Sequence, residues 1–277
     1  MCLIIFAHRA KPGYPLIIAA NRDEFYARPA AEADTWGTPS GGLLQSQVLA
    51  GRDLQAGGTW LGITRNGRFA AVTNIYDPSQ PEKKQRSRGD LTKNFLKSSQ
   101  SAEQYCEAII TEFHQFAGFN LLIGDGEALY YANNFEEIIW RLEPGIYGLS
   151  NGLLNSGSPK VERGKKKLHS LLNSVPTLNT DQLIQMMADQ EQTSGEGLPS
   201  SGATLRLERQ LSSIFTLDQE RLYGTRCSTA LIRNAKGDTC FCEQNYDSAG
   251  SPTTCHYYEL STKKAAKLDL RKDMAIL

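Results

Sequence analysis

The sequence predicts an α+β fold built in layers, and three observations predict it. Apolar runs of strand length come in pairs joined by tight-turn residues. Segments with a helical period carry a capping signal or one apolar face. The two kinds are grouped in the order strands, helices, strands, helices, strands, whereas a parallel α/β chain alternates them. The chain has 277 residues, 40% of them hydrophobic and 22% charged, an ordinary globular composition. A chain of this length buries about 75% of its unfolded surface as one unit, so a single domain over residues 1–277 is expected.

Residues 2–8 and 15–21 are apolar runs on either side of a segment containing Pro12 and Gly13, and they read as a buried hairpin. A turn centred on Lys11 and Pro12 makes paired positions sum to 23 and sets Cys2 opposite Asn21. Residues 29–47, rich in Pro, Ala, Gly and Ser without a period, read as a surface loop able to cover a site. Two further hairpins turn at Arg65-Asn66-Gly67 and at Gly124-Asp125-Gly126-Glu127, where the residue types suit positive φ. A last pair, 227–233 and 239–243, closes through residues 234–238. Helices are expected over 88–98, after the Ser101 to Gln104 capping box, over 159–173 with Val161, Leu168, Leu171 and Leu172 on one face, and over 180–190. The polar stretch 191–202 is expected to be a flexible loop.

Charge excludes some partners. Thirty basic residues balance thirty acidic ones, and both nucleic acid and anionic membrane require a basic excess. A small-molecule ligand is expected instead. No apolar run approaches the roughly 20 residues that cross a bilayer, so no integral membrane insertion is expected. The amino-terminal residues lack the basic start and long apolar core of a secretory signal, which gives a cytoplasmic expectation. In that compartment the six cysteines stay reduced.

Several motifs are absent or incomplete. There is no phosphate-binding glycine loop, dinucleotide fingerprint or zinc-protease helix motif. Residues Gly148 to Gly152 match G-x-S-x-G, but a nucleophile elbow needs a helix to begin at once and loop residues follow. Cys240 and Cys242, with Cys227, Cys255 and His256, do not have the usual C-x₂-C zinc spacing, and no metal is expected. The basic run Arg163 to Lys167 reads as the solvated face of a helix. Trp60 reads equally as a core aromatic or a pocket wall.

Cys2 stands apart because of its position. Once Met1 is removed, its free α-amine (pKa about 8) and its thiol (about 8.5) place a base and a nucleophile on one residue. An arginine nearby would favour thiolate and a carboxylate would hold or orient the amine, and Arg22 and Asp23 are at hand across the hairpin. Adjacent strand residues face opposite ways, so both can serve one pocket only where the chain turns.

Met1-Cys2-Leu3-Ile4, Asn21-Arg22-Asp23-Glu24-Phe25, Gly58-Thr59-Trp60-Leu61-Gly62, Asn66 to Asn74, Phe119-Asn120 and Tyr223-Gly224-Thr225-Arg226 together resemble the NRDE family, also called the transport and Golgi organization family. The resemblance covers almost the whole chain. It implies an N-terminal-nucleophile (Ntn) hydrolase-like αββα sandwich of two antiparallel sheets between helical layers. The chain is also distantly similar to cysteine Ntn hydrolases that cleave penicillin V and conjugated bile salts. That similarity implies Cys2 as nucleophile on a C–N bond, Arg22 and Asp23 as its support, Asn74 and Asn151 as oxyanion or substrate contacts, and Arg226 as a further catalytic arginine. Asn21, Glu24, Trp60 and Asn120 are the implied substrate-binding residues. The adjacency of Arg22 and Asp23 departs from those hydrolases, which separate the two by two residues. The family also implies an alternative, non-catalytic binding or trafficking of haem or another hydrophobic metabolite, in which haem is a ligand; no cofactor is otherwise expected.

Overall fold

The computed structural model describes residues 2–36, 48–75, 84–193 and 211–261. Its first sheet contains β1 (Cys2–Lys11), β2 (Tyr14–Phe25), β10 (Gly145–Leu149), β11 (Leu217–Asp218), β12 (Tyr223–Arg233), β13 (Thr239–Tyr246) and β14 (Pro252–Leu260). The path is β10-β1-β2-β12-β13-β14, with the short β11 on β12. The second sheet follows chain order: β3 (Ala30–Trp36), β4 (Val48–Asp53), β5 (Leu61–Thr64), β6 (Phe69–Asn74), β7 (Phe119–Gly124), β8 (Leu129–Asn133) and β9 (Ile138–Arg141). All strand pairs are antiparallel.

Three apolar clusters make four layers of this. Ile4, Phe6 and Ile18 from the first sheet pack on Leu61, Ile63 and Phe69 from the second, forming the core between the sheets. The opposite face of the first sheet, with Leu3, Ile5, Ile17 and Ala19, is covered by α3 (Pro159–Ser174) and α4 (Thr180–Met187). The outer face of the second sheet, including Val48, Ala70 and Leu121, is covered by α1 (Arg88–Lys97) and α2 (Ala102–Ile110). Alternating residues of one strand therefore serve two different cores, which explains why β1 and β2 read as continuous apolar runs. The result is the αββα arrangement the sequence implied.

The four helices lie where the sequence places them, and the Ser101 capping box forms with Gln104. The spacing of Phe113 and Phe116 continues past α2 as a 3-10 turn over Phe113–Gln115. The G-x-S-x-G segment ends β10 in a turn, and the next helix begins at Pro159. The cysteines of the C-terminal strands split between faces. Cys242 and Cys255 meet at 3.5 Å on the helical side, and Cys227 pairs with Arg22 on the other side. Among the described residues no three His, Cys, Asp or Glu side chains cluster as metal ligands.

Two expectations need correction. Cys2 pairs with Arg22 rather than Asn21. The turn is Pro12-Gly13, with Lys11 opposite Tyr14 and Gly13 at φ 84, and the register shifts between His8 and Lys11 where Arg9 has φ 48. The later turn raises the sum from 23 to 25 and the bulge takes one residue back, leaving 24 along the strand. The supposed loop after residue 28 begins instead as edge strand β3, whose Ala, Glu and Asp content hides a strand half exposed to solvent. Residues 37–47 of that expected loop, and the expected flexible loop from residue 194 onward, lie outside the described residues.

Candidate active site

The register of the first sheet assembles the site at one end of its central strands. Cys2 opens β1, and alternation puts its side chain on the face of Ile4 and Phe6, toward the second sheet. Its partner Arg22 lies on that same face. The Arg22 guanidinium stacks on the Trp60 ring, 4.2 Å from its centroid. Trp60 lies flat there because Gly51 has no side chain; a Cβ on Gly51 would sit 2.3 Å from the ring. Trp60 is thus both core aromatic and wall, since it packs against the inter-sheet cluster while carrying Arg22.

Asp23 faces the other way, toward the helical layer. Its carboxylate accepts hydrogen bonds from Thr225 Oγ1 at 2.8 Å and Thr216 Oγ1 at 3.4 Å, and Tyr223 Oη donates to its backbone carbonyl at 3.0 Å. Arg22 and Asp23 nevertheless both act on Cys2 because Cys2 is the first residue of its strand and β2 runs past it. Burial pushes the Cys2 thiol up, and Asp23 adds to this; the positive charge of the amino terminus, the Arg22 guanidinium and a hydrogen bond from the Asp23 backbone work against it. The net direction is upward, so the resting thiol keeps its proton. A nucleophile here needs a proton acceptor.

A residue the sequence reading passed over completes this side. Lys160, in the first turn of α3, is 5% exposed and its Nζ has no hydrogen-bond partner. Burial lowers its pKa, opposed by Asp23 and then Cys2. Burial likewise raises the Asp23 carboxyl, and Lys160 is the first of the groups that oppose it. The helix can come so close because Gly164 and Gly148 lack side chains: a Cβ on Gly164 would meet Ile5 at 2.6 Å, and one on Gly148 would meet Val161 at 2.5 Å. The available signal was a cation at a helix amino terminus, where anions are favoured.

The loop after β10 ties this end of the first sheet to β6 of the second. Ser150 Oγ donates to the Cys2 carbonyl at 3.1 Å. The Ser150 carbonyl accepts from Thr73 Oγ1 at 2.6 Å, and Asn151 Nδ2 donates to the Asn74 carbonyl at 2.8 Å. Asn74 and Asn151 are therefore brought together, next to the Ser150 that binds the Cys2 carbonyl, and the buried Asn151 Oδ1 is without a hydrogen-bond partner.

Other expected site residues are occupied by the fold. Asn21 donates to the carbonyls of Met187 and Ile214, both at 2.9 Å, and accepts from Ser228 Oγ at 2.6 Å; it is a buried clamp between β2 and the helical layer. Asn120 is wholly buried, donating to Thr73 Oγ1 and to the Gly152 carbonyl and accepting from Tyr131 Oη, so it holds the 150–152 loop. Glu24 turns to its own end of strand, accepting from the Phe25 N–H and lying 3.7 Å from Arg28. Arg226 is the extra residue where β12 bulges between Thr225 and Cys227. The bulge re-aims its side chain, and Nη1 donates to the carbonyls of Phe25, Tyr26 and Arg28. It stabilises the turn that follows the Arg22-Asp23 pair. A cleft of about 600 Å³ lined by Arg9, Gly67 and Arg233 lies at the turn end of β1 and β2, remote from Cys2.

Among solved structures, the chain is similar to a Caenorhabditis elegans N-acylethanolamine-hydrolyzing acid amidase ortholog, with TM-score 0.48 and 10% identity over 83% of this chain and 92% of that one. It is also similar to a variant of conjugated bile acid hydrolase from Clostridium perfringens, with TM-score 0.45 and 12% identity over 99% and 98%. Sequence relatives are nearer. The chain is 34% identical to the Transport and Golgi organization 2 homolog of Mus musculus over 88% of this chain and 93% of the relative, and 35% identical to the homolog of Bos taurus over 95% and 100%. The model of the Transport and Golgi organisation 2 family matches residues 1–248, and with that span and those identities the chain belongs to this family.

Proposed function

We propose that the protein is an N-terminal-nucleophile cysteine hydrolase acting on a C–N (amide) bond of a small molecule. One observation supports this reading above the others: Cys2 begins a central strand with an arginine on one side of it and a buried carboxylate on the other. After Met1 is removed, the α-amine accepts the Sγ proton and the thiolate attacks the carbonyl carbon. The oxyanion would be held by the Asn74 side-chain amide, with Asn151 fixing the Asn74 backbone. Collapse expels the amine product, which takes the proton from the α-ammonium, and leaves a thioester on Cys2. Water, deprotonated by the same amine, then hydrolyses it and restores the thiol. Arg22, held flat on Trp60, meets the anionic charge on the substrate side.

The test joins intact-mass analysis with a panel of acyl amides, on the natural protein and Cys2→Ala. The expected result is loss of Met1, an acyl adduct on the N-terminal peptide and turnover that falls at least a thousandfold in Cys2→Ala, with an unchanged melting temperature. Quantitative retention of Met1 would falsify the free-amine mechanism. Saturable haem or ligand binding that is equal in both proteins, without any adduct, would support a binding protein in place of an enzyme.

A further inference from the structure

Lys160 is a buried cation that the mechanism above does not use, and its surroundings are defined on every side. The groups whose charge favours its ammonium are Asp23 of β2 and, after it, Cys2 of β1. From β12, Tyr223 and Thr225 contact Asp23, and Thr216 does so from the segment before β11. Arg22 lies on the opposite face of β2, against Trp60. Asp23 is therefore the carboxylate on which both the Lys160 ammonium and the positive charge of the amino terminus act. One buried carboxylate neutralises one buried cation; a second cation in the same space is an uncompensated charge, and such a charge is expelled by losing its proton.

We infer that Lys160 is a positioning residue for the proton: its ammonium takes up the charge of Asp23 and so keeps the α-amine of Cys2 as the free base that accepts the thiol proton. The inference rests on the hydrolase reading, because it concerns the amine exposed when Met1 is removed. Geometry supports it independently of any titration. The Lys160 Nζ is buried without a hydrogen-bond partner, an arrangement that costs stability and packing alone does not require. Two glycine contacts, Gly164 on Ile5 and Gly148 on Val161, press the start of α3 against β1, which carries Cys2, and against its neighbour β10. Removing the ammonium leaves Asp23 free to pair with the α-amine, which would then be held protonated and unable to act as a base.

The experiment follows the amine directly. Protein labelled with 13C-cysteine is titrated by NMR, the Cys2 signal being identified by its loss in Cys2→Ala. In Lys160→Met, which keeps the length of the side chain and removes the charge, the amine midpoint is expected to rise by about 1 unit or more, the size of effect an opposite charge at close range produces. Lys160→Arg should keep the natural midpoint, and Asp23→Asn should lower it. The pH at which iodoacetamide alkylates Cys2 at half its maximal rate should move in parallel. Should Lys160→Met fail to fold, the Asp23→Asn and Lys160→Arg midpoints decide the matter. A midpoint unmoved by removal of the Lys160 charge, or unmoved in Asp23→Asn, overturns this inference alone in protein that lacks Met1. Retention of Met1 overturns the hydrolase reading and this inference with it.

Discussion

Trp60 shows how one residue joins packing to chemistry. Its ring fills space beside the inter-sheet cluster and presents a face to the Arg22 guanidinium at 4.2 Å. The contact has two energetic parts: a cation–π attraction of about 0.5–2 kcal/mol and a packing contribution of about 3–5 kcal/mol for an aromatic truncated to alanine. Trp60→Phe should retain most of the packing and weaken only the attraction. Trp60→Ala is expected to destabilise the protein by about 3 kcal/mol in urea unfolding and to slow alkylation of Cys2, because Arg22 loses the surface that orients it. Equal alkylation rates in Trp60→Ala and the natural protein, measured on the folded fraction, would contradict this role. The sequence left Trp60 open between core and wall, since a single aromatic gives no hint of what stacks on it. Lys160 was missed for a related reason: a lysine inside a basic helical stretch reads as solvated, and only the close approach of α3 buries it.

At the scale of elements, β2 determines what its neighbours can do. Its odd residues face the helical layer and its even residues face the second sheet, so Asn21 and Asp23 are separated from Arg22 and Glu24 by the pleat. Asn21 uses this placement to tie β2 to the end of α4 through the Met187 carbonyl and to the following segment through Ile214. Asn21→Ala leaves those carbonyls and Ser228 Oγ without that partner, each at a cost of about 1–3 kcal/mol. A loss of about 3 kcal/mol is expected, together with faster amide exchange at the carboxyl end of α4. Exchange that accelerates evenly through the whole chain would argue against a local clamp. The bulge in β12 works at the same scale, since it sets Thr225 against Asp23 and Cys227 against Arg22 on opposite faces. Sequence periodicity cannot reveal either bulge, because an extra residue changes register without changing composition.

For the whole molecule, the two sheets are joined by apolar packing and also by Glu243, whose carboxylate on β13 accepts the Ala33 N–H of β3 at 2.6 Å. Burial raises its pKa, with the Ala33 hydrogen bond the largest opposing effect. A carboxyl raised on folding binds its proton more tightly in the folded state, so its contribution to stability is greatest at low pH and declines as pH rises from the unfolded value, about 4.3, through the folded one. Glu243→Gln keeps an acceptor for Ala33 and does not titrate. Its melting temperature should match the natural protein near pH 4 and exceed it at pH 7. A difference of the opposite sign at pH 7 would mean that the charged carboxylate is stabilising.

The sequence by itself determined the class of fold, the four helices, four of the hairpins and the singular position of Cys2, because these follow from local periodicity, turn chemistry and chain order. It also carried the family, through the Asn21 to Phe25 run and its companions. Only the tertiary structure decided which of those polar residues face the thiol. The turn at Pro12-Gly13 and the bulge at Arg9 together moved the pairing of Cys2 by one residue, the pleat divided Arg22 from Asp23, and the hydrogen bonds of Asn21, Asn120 and Arg226 were taken up by backbone carbonyls. Lys160 entered the site from a helix more than 130 positions away in the chain. Register, facing and burial are set by contacts between distant segments, and no local pattern records them.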